Sequence, residues 1–256
     1  VILIPDPGYP VYQSGAELVG ADIHYMPLVA ENNFLPDLKA IPEKVAYRAK
    51  IMWINYPNNP TGAVAPMSFF EEVVDYARKH EIVIAHDAPY TEICYDGYVA
   101  PSILQVPGSK DVVVEFNSLS KAYNMGGWRL GMAVGNSAVI KLLNTYKSQV
   151  DNSHFHPIQI AGATALTGDQ TWLQQRNDIY KERRDIILKT LREVGFTTET
   201  PPSTIYIWAK IPARFTDCVE FCDRLLKETG VSLTPGVVYG DYGKGYIRVS
   251  LGIATD

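Results

Sequence analysis

Four stretches of this chain each place a polar or aromatic side chain directly after a short apolar run. Pro5-Asp6-Pro7-Gly8-Tyr9-Pro10 follows Val1–Ile4 and offers an aromatic ring, Tyr9. Asn55-Tyr56-Pro57-Asn58-Asn59-Pro60-Thr61-Gly62 follows Lys50–Ile54 and offers an amide, Asn59. Asp87-Ala88-Pro89-Tyr90 follows Ile82–His86 with a carboxylate and a phenol, and Asn117-Ser118-Leu119-Ser120-Lys121 follows Val112–Phe116 with an amine flanked by hydroxyls. A lysine amine that is neutral can act as nucleophile or base, and burial or a nearby cation lowers its pKa toward that state. Each piece alone has an ordinary reading. Asn-Pro-Thr-Gly is good turn chemistry. Asp87, Ser118 and Ser120 are good helix caps, and most lysines are solvated. Their recurrence at consecutive strand ends outweighs those readings, because ligands of open α/β sheets bind at the carboxyl ends of the strands.

The elements that would carry these groups follow from the pattern of apolar residues. Strands are predicted at Val1–Ile4, Ile23–Pro27, Lys50–Ile54, Ile82–His86, Val112–Phe116 and Arg129–Val134. Several are near-continuous Val/Ile runs, the mark of strands covered on both faces. Helical stretches alternate with them. One is predicted to begin at Ser68 with Glu71 as a capping box, burying Phe70, Val73, Val74 and Ala77. The alternation implies an α/β fold with a mostly parallel, helix-covered sheet. A long helix over Thr171–Val194, stopped by Gly195, is long enough to bridge two domains. Beyond it come a strand at Thr204–Ala209, a helix at Asp217–Thr229 and short strands at Val231–Thr234 and Tyr246–Ser250. The expectation is a large domain over 1–180 and a smaller α+β domain over 181–256. Pro235–Gly245, with four glycines, reads as a mobile loop near the site mouth.

Composition narrows the function classes. The 256 residues are 46% hydrophobic, enough for a sizeable core, and carry a net charge of −5. That balance argues against nucleic acid or an anionic membrane as the main partner. No apolar run approaches the roughly 20 residues that span a bilayer. Cys94, Cys218 and Cys222 have no disulfide framework and point to a reducing, cytoplasmic home. The latter pair reads as core. His154 and His156 lack an acidic or Cys partner at ligand spacing, so no metal is expected. No strand is followed by GxGxxG and there is no P-loop. The chain opens inside one predicted strand and ends just after another, so both ends read as cut.

Taken in order, Asn59-Pro60-Thr61-Gly62, Asp87-x-x-Tyr90, Ser118-x-Ser120-Lys121, Arg129 eight residues after the lysine, and Arg248 in Ile247-Arg248-Val249-Ser250 resemble the class I/II, fold-type I aminotransferases. The resemblance covers essentially the whole chain. It implies pyridoxal 5′-phosphate (PLP) as cofactor, amino-acid and 2-oxo-acid substrates, and a homodimer. It implies that Lys121 forms the Schiff base and moves the Cα proton. Asp87 would pair with the pyridine nitrogen, and Asn59 and Tyr90 would bond the phenolic oxygen. Ser118, Ser120 and Arg129 would hold the phosphate, for which a guanidinium fork and hydroxyls are suited. Tyr9 would stack on the ring. Arg248 would take the substrate α-carboxylate rather than make a surface ion pair, and Asn152 would reach the neighbouring subunit's site.

The finer texture, Ser118 through Arg129, Thr204-Ile205-Tyr206-Ile207-Trp208 and Gly245-Tyr246-Ile247-Arg248, is similar to bacterial LL-diaminopimelate aminotransferases. Aspartate aminotransferases share most of these motifs. A PLP-dependent C–S β-lyase and the aminotransferase-like ligand domain of a transcription regulator use the same scaffold and stay open as alternatives. Relatives also carry a glycine-containing phosphate loop, a partner-reaching tyrosine and a C-terminal helix outside the stretch seen here. This stretch alone is therefore expected to bind PLP poorly.

Overall fold

The computed structural model describes residues 1–252. Its larger sheet is built from β1 (Ile2–Asp6), β2 (Ile23–Pro27), β3 (Ile51–Asn55), β4 (Val83–Asp87), β5 (Val113–Ser118) and β6 (Gly131–Gly135), in the order β2-β1-β3-β4-β5-β6. The first five are mutually parallel, and β6 runs antiparallel at the edge. The mostly parallel α/β fold is thus the one expected. The helices are α1 (Val11–Leu18), α2 (Glu43–Arg48), α3 (Met67–His80), α4 (Leu119–Ala122), α5 (Ser137–Val150), α6 (His156–Thr167), α7 (Thr171–Glu193) and α8 (Cys218–Thr229). Strand residues Leu3, Met52, Ile54, Ile84 and Val113 pack with Phe70, Val73, Val74 and Ala77 of α3 in one core. Burial of such side chains stabilises by roughly 1.5–3 kcal/mol each.

The smaller sheet contains β7 (Thr197–Thr198), β8 (Tyr206–Lys210), β9 (Thr234–Pro235) and β10 (Tyr246–Ser250), all antiparallel, in the order β7-β8-β10-β9. Its core joins Ile207, Ala209, Ile247 and Leu251 to Leu188 and Leu191 of α7 and to Cys218 and Cys222 of α8. Tyr90, Ile93 and Tyr95, from the segment after β4, pack into the same cluster. Helix α7 ties the two sheets together. Near its start, buried Arg176 donates to the carbonyls of Ala122, at the end of α4, and Glu92. Farther along, buried Arg184 donates to Pro201 O at 3.0 Å and pairs with Asp96 at 2.8 Å. A charged helix face is therefore spent largely on capping carbonyls of both halves. Among the described residues no helix is long and apolar enough to cross a membrane.

Three local expectations need correction. Helix α3 starts at Met67 with Pro66 at its cap, so Ser68 is already helical and the Ser68–Glu71 capping box does not form. Pro66, extended at φ −73° and ψ 159°, takes the cap position and offers no side-chain acceptor there. Strand β9 is confined to Thr234–Pro235 rather than Val231–Thr234. The glycine-rich stretch after it is no open loop: it folds into two 3-10 turns, Gly236–Tyr239 and Asp241–Gly243, with Gly236, Tyr239 and Gly243 buried. Gly195 does stop α7, at φ +94°, as expected.

Candidate active site

Asp87 is the last residue of β4, level with Asn55 of β3. Its carboxylate accepts a 2.6 Å hydrogen bond from Tyr12 Oη, on the first turn of α1. Burial pushes the Asp87 carboxyl pKa up, while the Tyr12 bond and nearby His86 pull it down. Tyr12 itself stacks on Trp53, with centroids 4.8 Å apart, and burial holds its phenol far above the usual range. The carboxylate is thus fixed by a side chain that is itself immobile.

Asn55 organises the next group. Its Nδ2 donates to Asp87 O at 2.7 Å and its Oδ1 accepts from the Asn59 backbone N–H at 2.7 Å. Asn58 closes the turn by accepting from the Thr61 N–H and hydroxyl, at 3.0 and 2.6 Å. Gly62 follows at φ +71°, where a Cβ would meet Pro201 Cβ at 2.8 Å. The turn therefore presents buried Asn59 in one orientation. Its Oδ1 accepts from Arg248 Nη1 at 2.9 Å, which brings β10 of the smaller sheet to the edge of the larger one.

Arg248 lies between two rings, 4.1 Å from the Tyr206 centroid and 4.9 Å from that of Tyr239. Both contacts stabilise a desolvated cation. Its Nε is buried without a hydrogen-bond partner among the described residues. A guanidinium with donors to spare is ready for an anion. Tyr90, also buried, has its hydroxyl 3.5 Å from Tyr206 Oη. Burial first, then Tyr206 and Asp87, raise its pKa, and Arg248 opposes the rise.

Lys121 is the third residue of α4. Ser118, the last residue of β5, caps that helix by accepting from the Ser120 N–H at 3.1 Å. In the β4–β5 register Asp87 is level with Phe116, so Ser118 stands two residues beyond it on the neighbouring strand. Lys121 is half-buried and has no hydrogen bond or ion pair among the described residues. The chain then turns back on α4, with Leu119 N–H donating to Leu130 O. Arg129 sits in that turn at φ +54°, exposed, and donates to Gly126 O at 3.0 Å.

Asp87, Tyr90, Asn59 and Arg248 are thus joined by direct contacts or one shared neighbour. Ser118, Ser120 and Lys121 stand at the same sheet edge. Tyr9, 46% exposed, reaches the group edge-on through Tyr12, 6.2 Å between centroids. Asn152 is exposed between α5 and α6, and no described hydrogen bond joins it to the others. The geometry adds residues that sequence reasoning missed: Tyr12, Asn55, Tyr206 and Tyr239. Only Tyr12 had a visible hint, its place three residues after Tyr9.

The chain is 52% identical over 254 residues to an LL-diaminopimelate aminotransferase of Moorella thermoacetica, and 49% identical over 256 residues to one of Halothermothrix orenii. These matches cover 99% and 100% of the chain but 65% and 66% of the relatives' own lengths. A solved structure described as a probable N-succinyldiaminopimelate aminotransferase from Thermus thermophilus superposes with a TM-score of 0.93 at 38% identity, over 99% of this chain and 67% of that one. The family description "Aminotransferase class I and II" matches residues 1–256, and the chain belongs to that family.

Proposed function

We propose that this chain is the catalytic body of a PLP-dependent aminotransferase that exchanges an amino group between LL-diaminopimelate and 2-oxoglutarate. The observation that carries the reaction class is the cluster at the sheet edge: a buried carboxylate held by Tyr12, a half-buried unpaired lysine, and an arginine with free donors fastened to Asn59. The relatives at 52% and 49% identity carry the choice of substrate. Proteins of the family use PLP, and the residues fit it. Asp87 would pair with the pyridine nitrogen while Tyr12 holds its Oδ2. Asn59 and Tyr90 would bond the phenolic oxygen, Ser118, Ser120 and Arg129 would supply phosphate donors, and Tyr9 would stack on the ring. When bound, PLP supplies an electron sink for the charge left on the substrate Cα. Lys121 holds the cofactor and carries the proton to and from Cα. Arg248 binds the α-carboxylate as a fork, with Tyr206 and Tyr239 excluding water around it.

The partner in this reading is a second copy of the chain. Leu142, Tyr146 and Val150 of α5 and Phe155 and Ile160 at α6 are exposed, an apolar surface that a subunit interface would cover. Asn152, between those helices, would then lie at the partner's site.

Tyr12→Phe tests the hold on Asp87. The hydrogen bond favours the charged carboxylate, so its loss raises the Asp87 pKa. The acid limb of the kcat–pH profile is expected to move to higher pH, and an unmoved limb would show that Tyr12 does not support the ionised acid.

Substrate choice is tested by mixing the PLP-loaded enzyme with LL-diaminopimelate, aspartate and glutamate in turn and following the cofactor spectrum. LL-diaminopimelate is expected to convert the spectrum at least about tenfold faster than aspartate, the size of preference that one or two well-placed polar contacts provide. A faster reaction with aspartate would replace the substrate, and release of pyruvate and ammonia would replace the reaction class.

A further inference from the structure

Asp6 ends β1 on the same sheet edge as Asp87. It is buried, and its carboxylate reaches across to the smaller half of the molecule. Oδ1 accepts the Tyr242 N–H at 3.0 Å and Oδ2 accepts the Asp241 N–H at 3.2 Å, across 236 and 235 positions of sequence. Two residues on, Gly8 N–H donates to Tyr239 O at 2.8 Å. Three hydrogen bonds thus tie residues 6–8 to the turn 239–242. Gly240 stands at φ +131°, and a Cβ there would lie 2.1 Å from Asp6 Oδ1, so the close approach requires glycine.

The tethered segment is stiff. A Cβ on Gly236 would meet Gly243 O at 2.1 Å, Tyr246 O at 2.8 Å and the Trp208 ring at 2.9 Å. The two 3-10 turns are therefore pressed against each other and against β8 and β10. That segment carries Tyr239, whose ring lies 4.9 Å from the Arg248 guanidinium. It leads through Gly245 directly into β10 and Arg248. Burying an acid here is unfavourable: burial pushes the Asp6 pKa up, neighbouring Asp241 adds to the rise, and the two amides and Lys244 only partly oppose it. An asparagine could not match it, because one of its two polar atoms would turn a donor toward a donor.

We propose that Asp6 is a positioning residue: its carboxylate latches the 236–245 segment onto the large sheet and so sets where Tyr239 and Arg248 stand relative to Asn59 and Asp87. This rests on the reading of Arg248 as the carboxylate-binding residue. Arg248 is held on one side by Asn59 and on the other by Tyr239. The first hold comes from the turn after β3, and the second depends on Asp6.

The test compares PLP-loaded wild type with Asp6→Ala, Asp6→Asn and Arg248→Ala, using LL-diaminopimelate as the amino donor and hydrogen exchange of the peptide spanning 236–245. Asp6→Ala is expected to raise KM about tenfold with kcat within about threefold, the signature of lost substrate binding rather than lost chemistry. Exchange across 236–245 is expected to quicken by about tenfold or more as the turn opens locally. Asp6→Asn, which keeps one acceptor, is expected to raise KM by about threefold and provides the same reading if the alanine variant does not fold. Unchanged KM and unchanged exchange in the Asp6 variants, with KM raised by Arg248→Ala, would overturn the latch alone. So would a fall in kcat or thermal stability at constant KM. An unchanged KM in Arg248→Ala would overturn the assignment of Arg248 and the latch with it.

Discussion

Lys121→Ala is expected to abolish the absorbance of the lysine-linked cofactor near neutral pH and to lower turnover by at least about 10⁴-fold, since one residue loses both covalent attachment and proton transfer. The structure indicates that the loss would be confined to the side chain. Lys121 sits on a helix of one turn whose start is capped by Ser118 and whose last carbonyl, Ala122 O, accepts from Arg176. The backbone beneath the amine is thus fixed from both ends, and the variant should keep that frame. Far-UV circular dichroism should be unchanged while the visible band is gone. A persisting band, or turnover within tenfold of wild type, would remove Lys121 from the role.

Asp87→Asn is expected to leave PLP bound and covalently attached but to lower kcat by about 10³-fold, the scale seen when one preorganised charge-stabilising group is removed. Magnitudes matter for this assignment, because burial alone raises the Asp87 pKa and works against the ion. A cation at contact distance lowers a carboxylate pKa by about 1–3 units, and the Tyr12 bond works in the same direction. In the proposed reading the two together would keep the acid ionised beside a protonated ring nitrogen. Asparagine keeps the shape and can still accept from Tyr12, yet it has no charge to keep the ring protonated. Absorbance titration of bound cofactor separates the cases: the ring nitrogen should lose its proton at lower pH in the variant. Wild-type turnover there would contradict the electron-sink account.

The sheet was legible because its inner strands are largely covered on both faces, which leaves unbroken apolar runs such as Ile82–Ala85. Because these strands are parallel, the residues that follow each run fall at one sheet edge. Asn59, Asp87, Tyr90 and Lys121 could therefore be placed without coordinates. What was illegible depends on contacts between distant segments. Tyr12 meets Asp87 across 75 positions, and its place three residues after Tyr9 does not by itself reveal that contact. Asp6 meets Asp241 and Tyr242 across 235 and 236 positions, a pairing that the local sequence does not show. The four glycines of Pro235–Gly245 were read as freedom, whereas Gly236 and Gly243 are there because their backbones touch. Composition records that a segment can bend, and only packing shows whether it does. Ser68 is no cap for a smaller reason, since the helix begins one residue before it, at Met67.

The central claim is that one amine at the end of β5 holds the cofactor opposite the acid at the end of β4. Borohydride reduction of the PLP-loaded enzyme, followed by peptide mass mapping, tests it most directly. A single phosphopyridoxyl adduct on Lys121, lost in Lys121→Ala, is the expected result. An adduct on any other lysine, or none on a protein that still turns over, would contradict it.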